Sequence, residues 1–344
     1  MPPKFRRKLT KILAKIKIPL LLFGIIFLIG LAIFFRPKTK PSFWWSVLFT
    51  NPLKQTFGLT NVLLLGVSGG THEGADLTDT MIFLGFNQKS GRTVLISLPR
   101  DLWSPTLLAK INSAYHYGEG KKPGGGLILA KSIVEEIVGL PIHYAVKIDF
   151  TGFVKLIDLL GGVEIEIERT FDDYKFPIEG KENDPCGGDP EYKCRYQHVR
   201  FDAGKQLLNG EKALQYVRSR NAQGEEGTDF ARSRRQQKLI LALKNRIFSS
   251  RILLKPRIAL QFVKVLPEVI ETDIGEKELP YFARIALRIK SEKINTLVLD
   301  PFLINPPVWQ YGQWVLVPRT EDFTEIQEYI KGQILTPEEE FPQR

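Results

Sequence analysis

Two aspartates, an arginine beside one of them and a later group of arginines are the residues here whose types and spacing suit work on a phosphate. Asp79 lies in TDTMIFLGFN, and Asp101 closes ISLPRD directly after Arg100. The apolar runs MIFLGF (81–86) and TVLISL (93–98) read as strands, and NQKSGR (87–92) between them carries the Asn and Gly of a hairpin loop. A symmetric hairpin closed by that loop pairs residues whose numbers sum to about 179. Met81 then faces Leu98, and Asp79 falls opposite Arg100 and diagonal to Asp101. Two carboxylates and a guanidinium thus converge where the strands end, with the Thr78 and Thr80 hydroxyls nearby. Hard oxygen donors of this kind suit Mg2+ or Mn2+. The competing reading is that charged residues merely end strands at loops.

The arginines form a second constellation. Arg218 and Arg220 stand two apart in ALQYVRSR (213–220), a segment read as ending in a strand, so both point to one face. Arg232, Arg235 and Gln236 have i, i+3, i+4 spacing near the start of the amphipathic helix FARSRRQQKLILALKNRIF (230–248). The polar loop NAQGEEGTD between the two groups allows one to fold onto the other. Guanidinium forks match phosphate oxygens, and a helix N-terminus also favours anions. The competing reading is a solvated face neutralised by Glu225, Glu226 and Asp229. Metal-binding carboxylates with an arginine cluster imply a phosphorylated substrate.

Other motifs are set aside on physical grounds. Gly66-Val67-Ser68-Gly69-Gly70 fits the G-x-S-x-G of serine hydrolases, but that motif needs a helix at once after the serine. THEGADLTDT follows instead, with no helical period. GKKPGGG (120–126) lacks the G-K-[ST] ending of a phosphate loop, although Lys121 or Lys122 can still reach an anion. His72, His116, His143 and His198 show no zinc-ligand spacing. Cys186 and Cys194 sit in PCGGDPEYKC, a spacing wrong for a CxxC pair. In an extracytoplasmic domain a disulfide closing this loop is the better reading.

The elements that must hold these residues alternate in type. NVLLLGV (61–67), INTLVL (294–299), WVLVP (314–318) and the period-two VEIEIE (163–168) read as strands; LILAKSIVEEIVG (127–139) and DFTGFVKLIDLLGG (149–162) have helical periodicity. This interleaving predicts an α/β fold with a mixed sheet flanked by helices, in one large domain.

The chain of 344 residues is 43% hydrophobic and 25% charged, a globular composition. Its net charge of +10 is concentrated at one end. Lys4, Arg6, Arg7, Lys8, Lys11, Lys15 and Lys17 all precede the uncharged apolar run IPLLLFGIIFLIGLAIFF (18–35), and the remainder is close to neutral. That distribution argues against nucleic acid as a partner. The run reaches the lower length limit for a bilayer span, and no small-residue cleavage site follows it. The expectation is a basic cytoplasmic tail (1–17), a single transmembrane signal anchor (18–35), a linker (36–57), an extracytoplasmic domain (58–335) and a polar tail (336–344). A lipid-linked phosphate or pyrophosphate is the economical substrate there, since ATP is scarce outside the cell.

In order, NVLLLGV, TDTMIFLGFN, ISLPRD, KINSAYHYG, VKIDFTGFVKLIDLLGGVEI, LNGEKALQYVRSR and DFARSRRQQ resemble the LytR-CpsA-Psr family of cell-wall glycopolymer ligases, most strongly over residues 58 to 250. The resemblance implies an α/β/α sandwich that transfers a glycan phosphate from a polyprenyl-pyrophosphate carrier to a peptidoglycan sugar hydroxyl. Carried over, Asp79 and Asp101 hold Mg2+ and Arg100 contacts the phosphates. Arg218, Arg220, Arg232, Arg235 and Gln236 bind the pyrophosphate, joined by Lys121 or Lys122. Ser68 departs from the family's usual Gly-Val-Asp. Rival readings are a hydrolase that uses the same site on water, and a non-enzymatic membrane regulator.

Overall fold

The computed structural model describes residues 53–70, 74–181, 183–249, 256–289 and 294–335. The expected anchor (18–35) lies outside the described residues, as do the two tails. Among the described residues no helix is long and apolar enough to cross a membrane.

Strands β1 (Leu59–Val67), β2 (Thr78–Asn87) and β3 (Thr93–Ser97) form a meander, followed by the small hairpin β4 (Trp103–Ser104) and β5 (Ala109–Lys110). Helices α1 (Ala114–Lys121) and α2 (Gly125–Val138) lead to β6 (Tyr144–Asp149) and α3 (Phe150–Leu159). Next come β7 (Val163–Ile167), β8 (Phe171–Pro177), β9 (Tyr196–Phe201), β10 (Gly204–Leu208), α4 (Gly210–Arg218) and α5 (Asp229–Ile247). The chain returns through α6 (Pro256–Val269), β11 (Ile270–Thr272), α7 (Leu279–Arg288) and β12 (Ile294–Val298). It closes with β13 (Leu303–Ile304), α8 (Val308–Tyr311), β14 (Val317–Pro318) and α9 (Thr324–Ile334).

The main sheet has the order β11-β6-β1-β2-β3-β12, with β1–β6 and β3–β12 parallel and the other neighbours antiparallel. Its central strand β1 is apolar almost throughout because both faces are covered. Leu63, Leu65, Phe83 and Ile96 pack under Ile133 and Ile137 of α2 and Ile330 of α9. Val62, Phe86 and Tyr144 face Tyr281 and Ile285 of α7 on the other side. Each such side chain contributes roughly 1.5–3 kcal/mol when fully buried. A second core joins α3, α4 and α5 to β7–β10, with Ile157, Ile165, Tyr216 and Leu239 at its centre. The result is a mixed sheet with helices on both faces, as expected.

Two expectations about local structure change. ALQYVRSR does not end in a strand: residues 210–218 are helical, capped by Asn209, whose Oδ1 accepts from Lys212 N at 2.9 Å. Ala213, Tyr216 and Val217 bury one stripe of that helix, which a short apolar run alone does not distinguish from a strand. The packed fold also begins before residue 58. Leu53 is buried in the core, and Lys54 N donates to Tyr144 Oη at 2.8 Å.

Candidate functional site

The parallel strands β1, β6, β3 and β12 all end on one edge of the sheet, the edge where ligands bind in open α/β sheets. The β2–β3 hairpin has the expected register: Ile82 pairs with Ser97, and Leu98 N donates to Met81 O at 2.9 Å. At the same edge β1 and β2 slip. Gly66 pairs with Thr80 and Val67 with Thr78, leaving Asp79 as the extra residue of a bulge. Bulges re-aim side chains in this way beside functional sites.

Arg100 lies between the two carboxylates. Its Nη1 is 2.5 Å from Asp79 Oδ1, and its Nε is 3.4 Å from Asp101 Oδ2. Lys110 Nζ takes Asp101 Oδ1 at 2.7 Å, brought there by the pairing of Lys110 with Trp103. Asn112 fastens the corner: its O accepts from Thr78 Oγ1 at 3.1 Å, and its N donates to Arg100 O at 3.3 Å. The Asp79 side chain keeps 39% of its surface exposed. Asp79 and Asp101 are hard oxygen donors of the kind a divalent cation takes, and both are ion-paired here, Asp79 with Arg100 and Asp101 with Arg100 and Lys110.

The arginine group is built on α4 and α5. Arg218 ends α4 with its guanidinium 4.2 Å from the Phe150 ring centre and 5.5 Å from that of Phe176. Arg220 is exposed. Between them Ser219 is buried, and its hydroxyl donates to Asp173 Oδ2 at 2.6 Å. The N–H groups of Arg220 and Asn221 donate to the same oxygen at 3.2 Å. Asp173 therefore fixes the turn that presents both arginines. Thr228 caps α5, accepting from Ala231 N at 3.1 Å, and puts Arg232 in the first turns of that helix.

Arg235 differs from the sequence expectation. Its side chain is only 3% exposed and points into the protein. Nε donates to Tyr216 O at 3.0 Å, Nη2 to Ser219 O at 2.5 Å, and Nη1 to Glu226 O at 3.0 Å and Glu226 Oε2 at 2.7 Å. Burial pulls the guanidinium pKa below its ordinary value, and Glu226 opposes that shift. The same surroundings push the Tyr216 hydroxyl up to about 12, chiefly by burial. The next residue, Gln236, turns the other way and donates to Thr80 Oγ1 at 2.9 Å, beside Asp79. Adjacent residues of α5 thus tie the arginine-bearing turn to the carboxylate edge.

Lys121 is exposed in the last turn of α1. The loop after it is filled by its own carboxylate: Glu119 accepts from Gly124 N and Gly126 N at 3.1 Å. Ser68 follows β1, and its hydroxyl donates to Ala75 O at 3.2 Å. Cys186 and Cys194 are joined as a disulfide. Sequence reasoning missed Lys110 and Asp173, and it named Glu226 only as a surface charge. Asp173 left a signal, since period two puts it on the inward face with Phe171.

The chain is thus an α/β/α sandwich with paired carboxylates and Arg100 at one edge of its sheet. The sequence matches the LytR_cpsA_psr family over residues 45–332, and the chain belongs to that family. It is 30% identical over 236 residues to the polyisoprenyl-teichoic acid–peptidoglycan teichoic acid transferase TagU of Oceanobacillus iheyensis, covering 67% of this chain and 63% of that protein. It is 29% identical over 244 residues to the transferase of the same description, TagV, of Bacillus subtilis, covering 69% and 55%. The chain thus spans 63% and 55% of the length of these two relatives. The crystal structure of B. subtilis TagV has the same fold, with a TM-score of 0.58 and 24% identity over 82% of this chain and 100% of that one.

Proposed function

We propose that this protein transfers a glycopolymer phosphate from a polyprenyl-pyrophosphate carrier to a sugar hydroxyl of peptidoglycan. The observation that carries this reading is the join through α5, where Arg235 clasps the Arg218–Arg220 turn and Gln236 reaches the strand of Asp79. The relatives' names, which describe teichoic acid transfer from a polyisoprenyl carrier to peptidoglycan, supply the substrate class.

In this reading Arg218, Arg220 and Arg232 hold the pyrophosphate oxygens, and Arg100 neutralises charge as it develops. The acceptor oxygen forms a bond to the glycan-bearing phosphorus, and the bond from that phosphorus to the bridging oxygen breaks. Polyprenyl phosphate leaves, and Asp79 or Asp101 takes the hydroxyl proton. Asp79 and Asp101 would also hold Mg2+ or Mn2+, which when bound adds positive charge beside the phosphate oxygens.

Each charge-assisted contact of this kind contributes about 1.5–3 kcal/mol. Arg218→Ala, Arg220→Ala and Arg232→Ala should therefore each weaken pyrophosphate binding about tenfold or more, read by calorimetry. Arg246 donates to Leu160 O at 2.9 Å, and it lies ten residues along α5 from Gln236, about 15 Å away. Arg246→Ala should leave the affinity unchanged. Equal, small losses in all four variants would mean diffuse charge and sink the assignment.

The apolar run 18–35 and the cations before it support a signal anchor with the domain on the outer face of the cytoplasmic membrane. A C-terminal reporter fusion should be active only outside the cytoplasm. A mature N-terminus near residue 36 would contradict the anchor.

A further inference from the structure

Two loops beside Asp101 carry no charge and leave large apolar side chains in the open. Between Asp300 and Arg319 stands PFLINPPVWQYGQWVLVP, and between Asp101 and Lys110 stands LWSPTLLA, with no Lys, Arg, Asp or Glu in either. Their inner residues hold them to the fold: Leu102 and Val315 are buried, and Trp103 meets the Tyr311 ring edge-on at 5.1 Å. Backbone bonds join the loops at the site itself, from Leu316 N to Asp101 O at 2.9 Å and from Trp103 N to Leu316 O at 2.8 Å. What they leave outside is also apolar. Trp309 is 83% exposed and Leu108 74%, and Ile304, Val308 and Trp314 are exposed with them.

Exposed apolar side chains gathered on one part of a surface mark a place where something else packs. Here the composition favours a bilayer. Tryptophan concentrates at membrane–water interfaces, where its ring takes the apolar side and its N–H the wet one. Loops without charge also avoid the cost of carrying one into lipid. Chain length permits the orientation. Leu53 packs near the start of β1, and the loops lie beside Asp101 at its far end, about 30 Å away for a strand of nine residues. Residues 36–52, which separate the apolar run 18–35 from Leu53, reach at most about 60 Å. A domain resting on the membrane by its Asp101 edge is thus within reach of its anchor.

We infer that the 301–318 and 102–109 loops dock on the lipid bilayer, with Trp309 and Trp314 at headgroup depth, and hold the Asp101 edge against the membrane surface. The inference rests on the reading of 18–35 as an anchor and of the substrate as lipid-linked. In this orientation a pyrophosphate need not leave the headgroup layer to meet Arg100 and Asp101.

The test uses the full chain reconstituted in phosphatidylcholine–phosphatidylglycerol vesicles that contain a lipid with a nitroxide near its headgroup. The chain's two cysteines are joined to each other, so an added one takes a thiol-reactive fluorophore selectively. Attached through Val308→Cys, the fluorophore should be quenched about twofold or more by the nitroxide lipid. Attached through Lys89→Cys, in the exposed β2–β3 loop at the opposite edge, it should be quenched hardly at all. Adding Trp309→Asp to Val308→Cys should return the quenching to the Lys89 level, and Trp309 is so exposed that the fold loses little. Equal quenching at both positions, none at Val308, or quenching that Trp309→Asp leaves untouched would overturn the docking. So would an unquenched Val308 label whose emission shifts to the blue as the protein is crowded, the sign of a second copy covering the face. Quenching at Val308 in a protein that moves no glycan to peptidoglycan would leave the docking standing and sink the transfer reading. Transfer with the Val308 label unquenched would do the reverse.

Discussion

Arg235→Ala should destabilise the protein by about 3–5 kcal/mol, the typical consequence of breaking a buried ion pair. The guanidinium is 3% exposed, and its donors serve the carbonyls of Tyr216, Ser219 and Glu226 together with the Glu226 carboxylate. The Tyr216 and Ser219 carbonyls lie at the end of α4, where the helix leaves its last C=O groups without internal partners. For a domain of this size the loss corresponds to a drop in melting midpoint on the order of 10 °C. Arg235→Lys should recover little, because an ammonium cannot span three carbonyls as a planar fork does. Arg232→Ala, four residues after the Thr228 cap, should leave the melting midpoint within about 2 °C while weakening pyrophosphate binding. A thermally normal Arg235→Ala protein with lost affinity would assign Arg235 to the ligand instead.

Asp79→Asn should lower turnover by about 10²–10⁴-fold with little change in stability, the usual range for a lost proton acceptor. The substitution keeps the shape and removes the charge. Asp79 is part-exposed at the bulge, so its own fold contribution is small, and Arg100 retains Asp101 as a partner. Asp101→Asn should be the milder change for substrate affinity, since Lys110 and Arg100 both remain near the amide. Initial rates at saturating donor decide the matter. Near-normal turnover in Asp79→Asn would reduce Asp79 to a counterion of Arg100.

The carboxylate edge was legible because a hairpin's loop length and alternation set its register, so the pairing of Asp79 with Arg100 followed from position alone. The bulge that turns Asp79 outward was not, since a bulge depends on how β1 runs beside β2. The arginine group was found by spacing but misplaced in detail. ALQYVRSR is too short to separate strand from helix by period, although Asn209 before it is a helix-start signal. The spacing of Arg232, Arg235 and Gln236 predicts one shared helix face, whereas Arg235 and Gln236 turn to different neighbours. It does not show that the end of α4 lies against Arg235 and β2 against Gln236, because those contacts cross 16 and 156 residues of sequence. Asp173 was missed for the same reason, since its contact with Ser219 crosses 46 residues. Lys110 was missed because the two-residue strands β4 and β5 that bring it to Asp101 are too short to show a period.

Transfer is read by incubating the full-length protein with a polyprenyl-pyrophosphate glycan labelled in the sugar, together with peptidoglycan, and following the label. Label should become covalently attached to peptidoglycan, in step with release of polyprenyl phosphate, and the attachment should be lost in Asp79→Asn and Arg218→Ala. Label released into solution as free glycan phosphate, or left wholly on the lipid, would contradict it.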